Sequence, residues 1–447
     1  MSNTHEVDVI IIGAGLSGLS AALKLAKQKL SFVVLEARDR PGGRIESLRA
    51  EANIPIDIGA QWISGKHLRL KKLVSQFGLH TVSTFKKGKN IYDLNGKLVK
   101  SKQPPIPFIS LMDTLQFTRQ LNKISKQINN NAPWEFGEAL HYDKVSIEHL
   151  LQTKMYTRDG RKYFSLLLEE NLCSHLYEVS ALDVLWCIAT AGSIQAIQSS
   201  ESYHIKEGVG TLIQRIAEDL KDNIYYDCPV YSISDHENFA NVHVKNFCWK
   251  ANKVIVALPP NLQAKIDFNP PLPASRAQLL ERAGLPSVTK IMIVYQRPFW
   301  RKQGLSGISY SDIGPIKLTM DTSPQDEKRG VLSVIVSGQS ARRLENLPYD
   351  RRRNEVIKCL IRFYGEEAAY PLEYFEKNWS EEQWTRGGYG FHFPPGIITN
   401  YNSTLLKSVG SLHWAGSETA TEWRLYMEGA VQSGERAAKE VIKRLER

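Results

Sequence analysis

The stretch from Val7 to Arg44, VDVIIIGAGLSGLSAALKLAKQKLSFVVLEARDRPGGR, decides the fold of this 447-residue chain. It opens with an apolar run over Val9–Ile12, which is typical of a parallel strand that is buried on both faces. The pattern G-x-G-x-x-G follows at Gly13, Gly15 and Gly18. These glycines allow a tight turn, a close approach of the backbone to a pyrophosphate, and close packing of the next helix on the strand. The stretch therefore predicts a dinucleotide-binding unit.

The residues after the glycines complete this unit in register. A helix is predicted over Leu16–Lys29, and its N-terminus directs free N–H groups and the positive end of its dipole at the phosphates. A second apolar strand, Phe32–Leu35, is followed at once by Glu36. A carboxylate at this position can accept hydrogen bonds from both ribose hydroxyls, and it would repel the 2′-phosphate of NADP. These residues alone do not distinguish NAD from FAD.

The segment E-A-R-D-R-P-G-G-R, over residues 36–44, favours FAD. It resembles the continuation of the dinucleotide motif in FAD-binding amine oxidases and their relatives. The glycines in this segment let the backbone approach an anion closely. Arg38 and Arg44 are therefore expected to lie along the dinucleotide rather than on a solvated surface.

The composition indicates an ordinary globular protein of two domains. Apolar residues make up 42% and charged residues 23% of the chain, and its length suffices for more than one core. The net charge is +10, but the basic residues are scattered, so no nucleic acid is expected as a partner. The five cysteines lack C-x-x-C spacing, so no metal site is expected and a reducing compartment is favoured. Without a secretory signal or an apolar run of about 20 residues, the protein is expected to be soluble and cytoplasmic, with no membrane span.

Changes of pattern along the chain predict how the domains alternate. The fold class is expected to be α/β, in an α+β two-domain arrangement. A Rossmann-like FAD-binding domain, discontinuous in sequence, would be joined to a substrate-binding domain of mixed sheet plus helices. The FAD-binding domain would comprise residues 1–85, 200–267 and 401–447, and the substrate-binding domain residues 86–199 and 268–400.

Individual elements of the second domain can also be placed. Asn95-Gly96 predicts a hairpin turn between two short apolar strands. Apolar residues at helical spacing predict a helical region over residues 110–198. Further strands are expected at residues 290–295, 316–320 and 331–336.

Motifs nearer the C-terminus strengthen the likeness to amine oxidases. They are N-W-S-E-E-Q-W-T-R-G-G-Y-G at 378–390, F-P-P-G-I at 393–397, W-A-G-S-E-T-A-T at 414–421 and Y-M-E-G-A-V at 426–431. With these motifs, the chain is similar from end to end to the flavin monoamine oxidases.

The resemblance implies FAD as the cofactor and assigns residues to it. Val230 would contact adenine through its backbone, Glu418 would approach the ribityl chain, and Met427 would begin a helix beneath the flavin pyrimidine. The N-terminus of that helix would stabilise negative charge on the reduced flavin. The cofactor-contacting residues implied in this way are Gly13, Gly15, Ser17, Gly18, Glu36, Ala37, Arg38, Gly43, Arg44, Gly59, Ala60, Gln61, Trp62, Val230, Trp379, Glu418 and Met427.

The same resemblance implies which groups lie nearest the chemistry. Lys290 matches the family lysine held near flavin N5, and Tyr426 matches one of two tyrosines that form an aromatic cage around the amine. In relatives with covalent FAD a cysteine stands where this chain has Tyr389, so non-covalent FAD is expected. Gly390 would replace the second cage tyrosine and leave the pocket wider, unless Tyr389 or Trp423 closes it. The residues implied to contact substrate are Leu172, Tyr389, Gly390 and Tyr426.

The implied reaction is oxidation of an amine to an imine, which hydrolyses to an aldehyde or ketone. FAD takes up two electrons and a hydrogen, oxygen then reoxidises it, and hydrogen peroxide is released. The expected partners are a small-molecule amine and oxygen, and a homodimer is left open.

Four other interpretations stay open at this point. A polyamine oxidase would need acidic residues along its tunnel, for which Glu135, Glu138, Glu169 and Glu170 are candidates. An amino-acid oxidase would need a cation for the substrate carboxylate, which the sequence does not place. A dehydrogenase of the same fold would pass its electrons to another acceptor. A non-enzymatic flavoprotein scaffold would bind FAD without turnover.

Overall fold

The computed structural model describes residues 4–51, 53–245 and 247–446. Its strands form four sheets, and its α-helices differ widely in length. The strands are β1 (Thr4–Ile12), β2 (Phe32–Leu35), β3 (Ser47–Arg49), β4 (Pro55–Asp57), β5 (Trp62–Ile63), β6 (Thr81–Ser83), β7 (Lys89–Leu94), β8 (Lys97–Ser101), β9 (Tyr203–Ile205), β10 (Ile224–Tyr225), β11 (Ser232–Asp235), β12 (Ala240–His243), β13 (Cys248–Val256), β14 (Asp267–Asn269), β15 (Val288–Tyr295), β16 (Leu305–Ser311), β17 (Leu318–Asp321), β18 (Gly330–Ser337), β19 (Glu373–Asn378) and β20 (Leu412–Trp414). The α-helices are α1 (Leu16–Ala26), α2 (Leu68–Gln76), α3 (Phe108–Ser125), α4 (Ala139–Asp143), α5 (Ile147–Lys154), α6 (Arg158–Leu172), α7 (Ala181–Ala191), α8 (Ile194–Gln198), α9 (Val209–Asp219), α10 (Pro260–Gln263), α11 (Ala274–Glu281), α12 (Phe299–Lys302), α13 (Gly338–Glu345), α14 (Tyr349–Tyr364), α15 (Ile397–Tyr401) and α16 (Met427–Leu445).

The largest sheet carries the glycine-rich loop. Its strand order is β10-β2-β1-β13-β12-β11-β14, with β20 beside β13, and β1 runs parallel to both β2 and β13. The apolar residues of β1 that were predicted to be buried on both faces are 0–3% exposed. The predicted strand–helix–strand unit is therefore confirmed. Helix α1 ends at Ala26, three residues before the predicted end at Lys29, where φ is 57° and the chain has left the helical region.

The last helix of the chain closes the same layer. Helix α16 packs against α1, and the Ser433 hydroxyl lies 3.2 Å from the Ser17 hydroxyl. Gly434 has no side chain at the point where the backbone of Ser17 passes, and a Cβ there would collide with the Ser17 carbonyl oxygen. The two ends of the chain thus form one packed unit with the sheet.

A second sheet has the order β19-β15-β18-β17-β16-β7-β8. The predicted hairpin is present in it as β7 and β8, and the turn residues Asn95 and Gly96 have φ values of 54° and 76°, as a type I′ turn requires. The three further strands expected from the sequence correspond to β15, β17 and β18. Strand β15 is buried along its whole length, because β18 and β19 pair with its two edges and a separate apolar cluster covers each face.

A helical layer lies beside this sheet. Helices α3 to α8 span the region predicted to be helical, and their apolar faces share a core that includes Phe117, Phe164 and Leu185. Residues from α11 and α15 complete this core. Within the part of the chain that the structure describes, no helix is both long and apolar enough to cross a membrane.

Candidate active site

A cavity of about 590 Å³ runs along the large sheet to the second sheet and the helical layer. It brings together residues from the glycine-rich loop, α6, the 379–390 loop and the start of α16. The predicted site residues that line it are Gly13, Gly15, Ser17, Glu36, Ala37, Arg38, Gly43, Arg44, Gly59, Ala60, Gln61, Trp62, Leu172, Val230, Trp379, Tyr389, Gly390, Tyr426 and Met427. Gly18, Lys290 and Glu418 are buried behind this lining and do not form part of it.

The glycine-rich loop has the shape that a phosphate group needs. Gly13 adopts a φ of 100°, which a side chain would strain, and Gly18 packs so closely on Gly13 that a Cβ would collide with its carbonyl oxygen. At Gly15, by contrast, a Cβ would meet no atom within 4 Å. The backbone of Gly15 therefore borders open cavity at the N-terminus of α1, where an anionic pyrophosphate fits.

Glu36 is held at the edge of this loop by two backbone groups. Its Oε2 accepts a hydrogen bond from the Ala14 N–H at 2.7 Å, and its Oε1 accepts one from the Arg38 N–H at 3.0 Å. The residue is only 3% exposed and lines the cavity. Its oxygens keep free lone pairs, which can accept hydrogen bonds from ribose hydroxyls. The Arg38 guanidinium, in turn, donates to Thr385 at 2.6 Å and lies 3.4 Å from Glu382.

Arg44 and Glu418 form an ion pair in the wall of the cavity. Arg44 donates to the two carboxylate oxygens of Glu418 at 2.6 and 3.1 Å, and also to the carbonyl oxygen of Tyr389 at 2.6 Å. Burial alone would raise the pKa of Glu418, but the Arg44 guanidinium holds that pKa below its usual range. The expected contact of Glu418 with a ribityl chain stays a prediction, because the structure shows its carboxylate bonded to Arg44.

Lys290 supports a turn that lines the cavity. Its Nζ donates to the Gly59 carbonyl oxygen and to Gln61 Oε1, both at 2.9 Å, and lies 4.7 Å from the centre of the Trp62 ring. The side chain is 1% exposed, and burial lowers the pKa of Lys290 to about 7. Lys290 can therefore change its charge near neutral pH. Asp57, buried beneath the same turn, is the acidic neighbour that partly counters this shift.

Two tyrosines from distant parts of the chain line the same part of the site. Tyr426 is the residue before α16, and its ring centre lies 5.3 Å from that of Trp423 and 5.8 Å from that of His67. Tyr389 packs near Trp62 and Tyr310, and its hydroxyl is buried without a hydrogen-bond partner among the described residues. Burial lowers the pKa of His67 to about 3, so the imidazole beside Tyr426 is neutral and acts as an aromatic support.

The structure shows which side chain occupies the space beside Gly390. A Cβ at Gly390 would lie 2.8 Å from both Cβ and Cδ2 of Leu425, so the position has no room for a wall residue. The aromatic ring in this segment belongs to Tyr389 instead. The absence of a side chain at Gly390 therefore makes room for Leu425, and the wider pocket stays a prediction.

A buried polar network holds the segment before Tyr426. Arg424 is 0% exposed and donates to Asp183 Oδ1 at 2.9 Å and to Cys187 Sγ at 3.2 Å. His392 lies 2.7 Å from the other oxygen of Asp183. Burial alone would raise the pKa of Asp183, but the Arg424 charge holds it below its usual value. Asp183, Cys187 and His392 are residue types that bind metals, but the guanidinium of Arg424 already neutralises this cluster.

Several cavity residues carried no signal in the sequence. Glu201, Tyr310, Arg424 and Cys187 line the cavity but lie in segments without a motif. Among the acidic residues considered for a tunnel, Glu170 lines the cavity, whereas Glu135, Glu138 and Glu169 do not. On α6 Glu170 is buried together with the apolar Phe164, Leu168 and Leu172, and no periodic signal in the sequence distinguishes it from its less buried neighbours.

Comparisons with known proteins agree with this geometry. The family model described as "Flavin containing amine oxidoreductase" matches residues 16–442. A flavin-containing amine oxidase from Oncorhynchus mykiss is 36% identical over 99% of this chain and 87% of its own length. A solved structure of putrescine oxidase, described as wild type bound to putrescine, is 30% identical with a TM-score of 0.94, covering 98% of this chain and 100% of its own. Cyclohexylamine oxidase from Brevibacterium oxydans IH-35A is 28% identical with a TM-score of 0.93, over 99% and 100% of the two chains.

Proposed function

The chain belongs to the flavin-containing amine oxidoreductases, and we propose that it oxidises a small amine in the cavity between Tyr389 and Tyr426 with oxygen as the electron acceptor. It is an FAD-dependent oxidoreductase that acts on amines. In the proposed reaction the amine loses two electrons and two protons to become an imine, which water hydrolyses to an aldehyde or ketone. Oxygen takes up the electrons and leaves as hydrogen peroxide. The observation that carries this proposal is that one cavity extends from the open space at Gly15 to Tyr389 and Tyr426.

The residues present fit an FAD molecule. The open space at Gly15 would take the pyrophosphate, Glu36 the ribose, and the segment at Val230 the adenine end. The N-terminus of α16 at Met427 borders the cavity, and its dipole favours negative charge there. When bound, FAD supplies the two-electron acceptor that no side chain can replace.

The aromatic side chains orient the amine. Tyr389 and Tyr426 both line the cavity, and each is backed by further aromatic residues that keep its ring in place. Aromatic faces attract a cationic amine and exclude water from its α-carbon. Of the two residues that the sequence leaves open as the partner of Tyr426 in the aromatic cage, Tyr389 and Trp423, this proposal takes Tyr389.

Lys290 is buried behind the residues that line the cavity, and it acts through its hydrogen bonds and its charge. Its Nζ donates to the Gly59 carbonyl and the Gln61 side chain, and both of these residues line the cavity. We propose that its positive charge stabilises the negative charge that develops as oxygen is reduced in a site shielded from water. Lys290 is thus a positioning and electrostatic residue, and a neutral amine needs no protein base.

FAD is proposed to be non-covalent. The loop at residues 388–390 is Gly-Tyr-Gly and offers no thiol to a flavin. The five cysteines are free thiols, and the Cys187 thiol already contacts Arg424. A cytoplasmic location, expected from the sparse cysteines of the sequence, forms part of this proposal.

An amino-acid substrate is less well supported. It would need a free cation near the two tyrosines for its carboxylate. Arg44 bonds to Glu418 and the Tyr389 carbonyl, and Arg424 bonds to Asp183, so both nearby guanidiniums are already paired. Amines without a carboxylate, such as the substrates named for putrescine oxidase and cyclohexylamine oxidase, suit this lining better.

One experiment tests the proposal directly. The purified yellow protein is mixed anaerobically with a panel of aliphatic, aromatic and cyclic amines, and the flavin absorbance is followed. At least one amine should bleach the flavin, and admission of oxygen should restore its colour with one hydrogen peroxide per turnover. Acid or heat should then release all the flavin from the polypeptide. Bleaching without peroxide would favour the dehydrogenase, and no bleaching by any amine would contradict the proposed activity.

A further inference from the structure

Two acidic side chains meet in the cavity on the side of the helical layer. Glu170, near the end of α6, is 7% exposed, and Glu201 follows α8. Both line the cavity with Tyr310, Tyr389 and Tyr426. They are separated in sequence but are brought together because α6 and the segment after α8 border the same space.

Among the described residues, these carboxylates have no cationic partner. Neither forms an ion pair with any residue that the structure describes. Glu170 Oε2 accepts a hydrogen bond from Asn171 at 2.9 Å, whereas the Glu170 Oε1 and both Glu201 oxygens have no donor in the described chain. The charge of Lys86 partly counters the raised pKa of Glu201, but Lys86 is exposed and makes no ion pair with Glu201.

Burial of a carboxylate without a partner costs free energy, and burial of two neighbouring carboxylates costs more. Burial raises the pKa of both groups, and the neighbouring Glu201 charge raises that of Glu170 further. The same cavity contains another unsatisfied polar group, the buried hydroxyl of Tyr389. A cation with hydrogen-bond donors would satisfy all three residues at once, since an ammonium group carries three donors and a positive charge.

The acidic pair and the two tyrosines of the proposed reaction centre line the same cavity. After burial, the charges of Glu170 and Glu201 are among the causes that raise the pKa of the Tyr389 hydroxyl, together with the Cys173 thiol. The same two carboxylates also contribute to the raised pKa of Tyr426 after burial and Cys187. A substrate between the tyrosines therefore lies within the electrostatic reach of both acids.

We infer that Glu170 and Glu201 form an anionic subsite for a second ammonium group, so that the preferred substrate class is an aliphatic α,ω-diamine. This inference rests on the proposed amine oxidation. One amine group lies between Tyr389 and Tyr426 and is oxidised, while the distal ammonium group is held by the two carboxylates. The subsite selects substrates by charge and takes no part in the redox step.

The test compares matched substrates in the holoenzyme. The kcat/KM values are measured for α,ω-diamines of three to six carbons, for the monoamine of each length, and for the mono-N-acetyl diamine, whose distal end is neutral. The parent enzyme should prefer at least one diamine over both neutral-ended partners by about tenfold or more. This preference needs no variant, so it tests the inference even where a substitution impairs folding.

Glu170→Gln and Glu201→Gln then locate the subsite. Each should lower the diamine-to-monoamine ratio of kcat/KM by about tenfold or more, because each removes a charge that the distal ammonium group meets in a shielded site. Glu169→Gln is the matched control, since Glu169 neighbours Glu170 on α6 but lies outside the cavity beside His175. The diamine-to-monoamine ratio of kcat/KM for Glu169→Gln should equal that of the parent enzyme.

The outcomes separate the two proposals. A parent enzyme that oxidises monoamines and N-acetyl diamines as well as diamines would overturn the subsite and leave amine oxidation intact. A diamine preference that survives both glutamine variants would place the distal group elsewhere and also overturn it. Failure of every amine to bleach the flavin would instead contradict the proposed function itself.

Discussion

Arg44 and Glu418 are 374 positions apart in the chain, yet the guanidinium of one donates to both carboxylate oxygens of the other at 2.6 and 3.1 Å. The same guanidinium donates to the carbonyl oxygen of Tyr389 at 2.6 Å. One ion pair therefore joins the dinucleotide motif, the closing motif and an aromatic wall of the cavity. Glu418 is 1% exposed and Arg44 keeps 24% of its side chain exposed, so the pair is only partly screened by solvent.

Glu418→Gln should lower the free energy of unfolding by about 2–4 kcal/mol, because it leaves Arg44 without its charge partner in a buried setting. Glu422→Gln is the control, since Glu422 pairs with Arg69 at the surface and its side chain is 52% exposed, and it should cost less than about 1 kcal/mol. Urea unfolding at neutral pH measures both. The pKa of Glu418 is lowered in the folded state, so its contribution is present above its ordinary pKa of 4.5 and is lost as the pH falls below that value. A parent–variant difference that stays constant down to acid pH would contradict this assignment.

Glu36→Ala should weaken FAD binding. The carboxylate is positioned by the Ala14 and Arg38 N–H groups, and its charge-assisted hydrogen bonds to ribose are worth about 2–3 kcal/mol, or roughly 30- to 150-fold in Kd. Titration of the flavin-free protein with FAD measures the change. Glu6→Ala, on β1 and paired with Lys250 at the surface, should bind FAD like the parent. A Glu36→Ala protein that keeps the parent affinity would show that the ribose lies elsewhere.

Lys290→Met should slow reoxidation of the reduced enzyme by oxygen more than it slows flavin reduction by the amine. The pKa of Lys290 is lowered to about 7, so the parent lysine is charged below that pH and loses its charge as the pH rises through it. The oxygen step of the parent should therefore slow as the pH rises through about 7, whereas that of Lys290→Met should be slow throughout. Stopped-flow traces from pH 6 to 9 measure both steps.

The matched control for this residue is Lys250→Met, on β13 of the large sheet, where Lys250 pairs with the exposed Glu6. It should reproduce both rates of the parent at every pH. An oxygen step in Lys290→Met with the parent rate and pH profile would remove Lys290 from this role.

Tyr389→Ala and Tyr426→Ala should each reduce kcat/KM for every amine by several-fold to tenfold, because one aromatic face contributes about 0.5–2 kcal/mol to orienting a cationic group. Tyr389→Phe should retain most of the activity on monoamines, because the hydroxyl that it removes has no partner in the described protein. Steady-state kinetics on one slim and one bulky monoamine measure these effects. Equal activity of Tyr389→Ala and the parent would show that Tyr389 is not an aromatic wall.

Gly390→Ala should destabilise the protein rather than change its substrate preference. The added Cβ would lie 2.8 Å from Leu425, and overpacking of this kind costs about 1–3 kcal/mol. The slim-to-bulky ratio of kcat/KM should stay close to that of the parent, while the melting temperature falls. Gly137→Ala, where a Cβ would meet no atom within 4 Å, is the control. A changed ratio with unchanged stability would restore the idea of an open wall at Gly390.

Local patterns allowed much of the fold to be predicted. The glycine spacing, the apolar runs and Glu36 lie within one short stretch, so their geometry follows from local rules, and the structure confirms β1, α1 and β2. Asn95-Gly96 likewise determines its own turn. The end of α1 was placed too late, because helical spacing continues in the sequence beyond the point where the backbone leaves the helix.

Relationships between distant segments could not be predicted in this way. The space at Gly390 is decided by Leu425, which no local pattern connects to it. Glu201 lies in a polar segment that is typical of an ordinary surface loop. It lines the cavity because of the path that the chain takes after α8. Arg44 was expected along the dinucleotide, yet its partner Glu418 is known only once the two ends of the chain are packed together.

The packing of α16 on α1 also constrains the order of events during biosynthesis. The glycine-rich loop leaves the ribosome long before Met427, which borders the cavity, and before Ser433, which packs on Ser17 from 416 positions further along the chain. A nascent chain that lacks this helix has one flank of its nucleotide cleft missing. Tight capture of FAD should therefore follow the synthesis of α16, and chains that stop before this helix should bind FAD weakly.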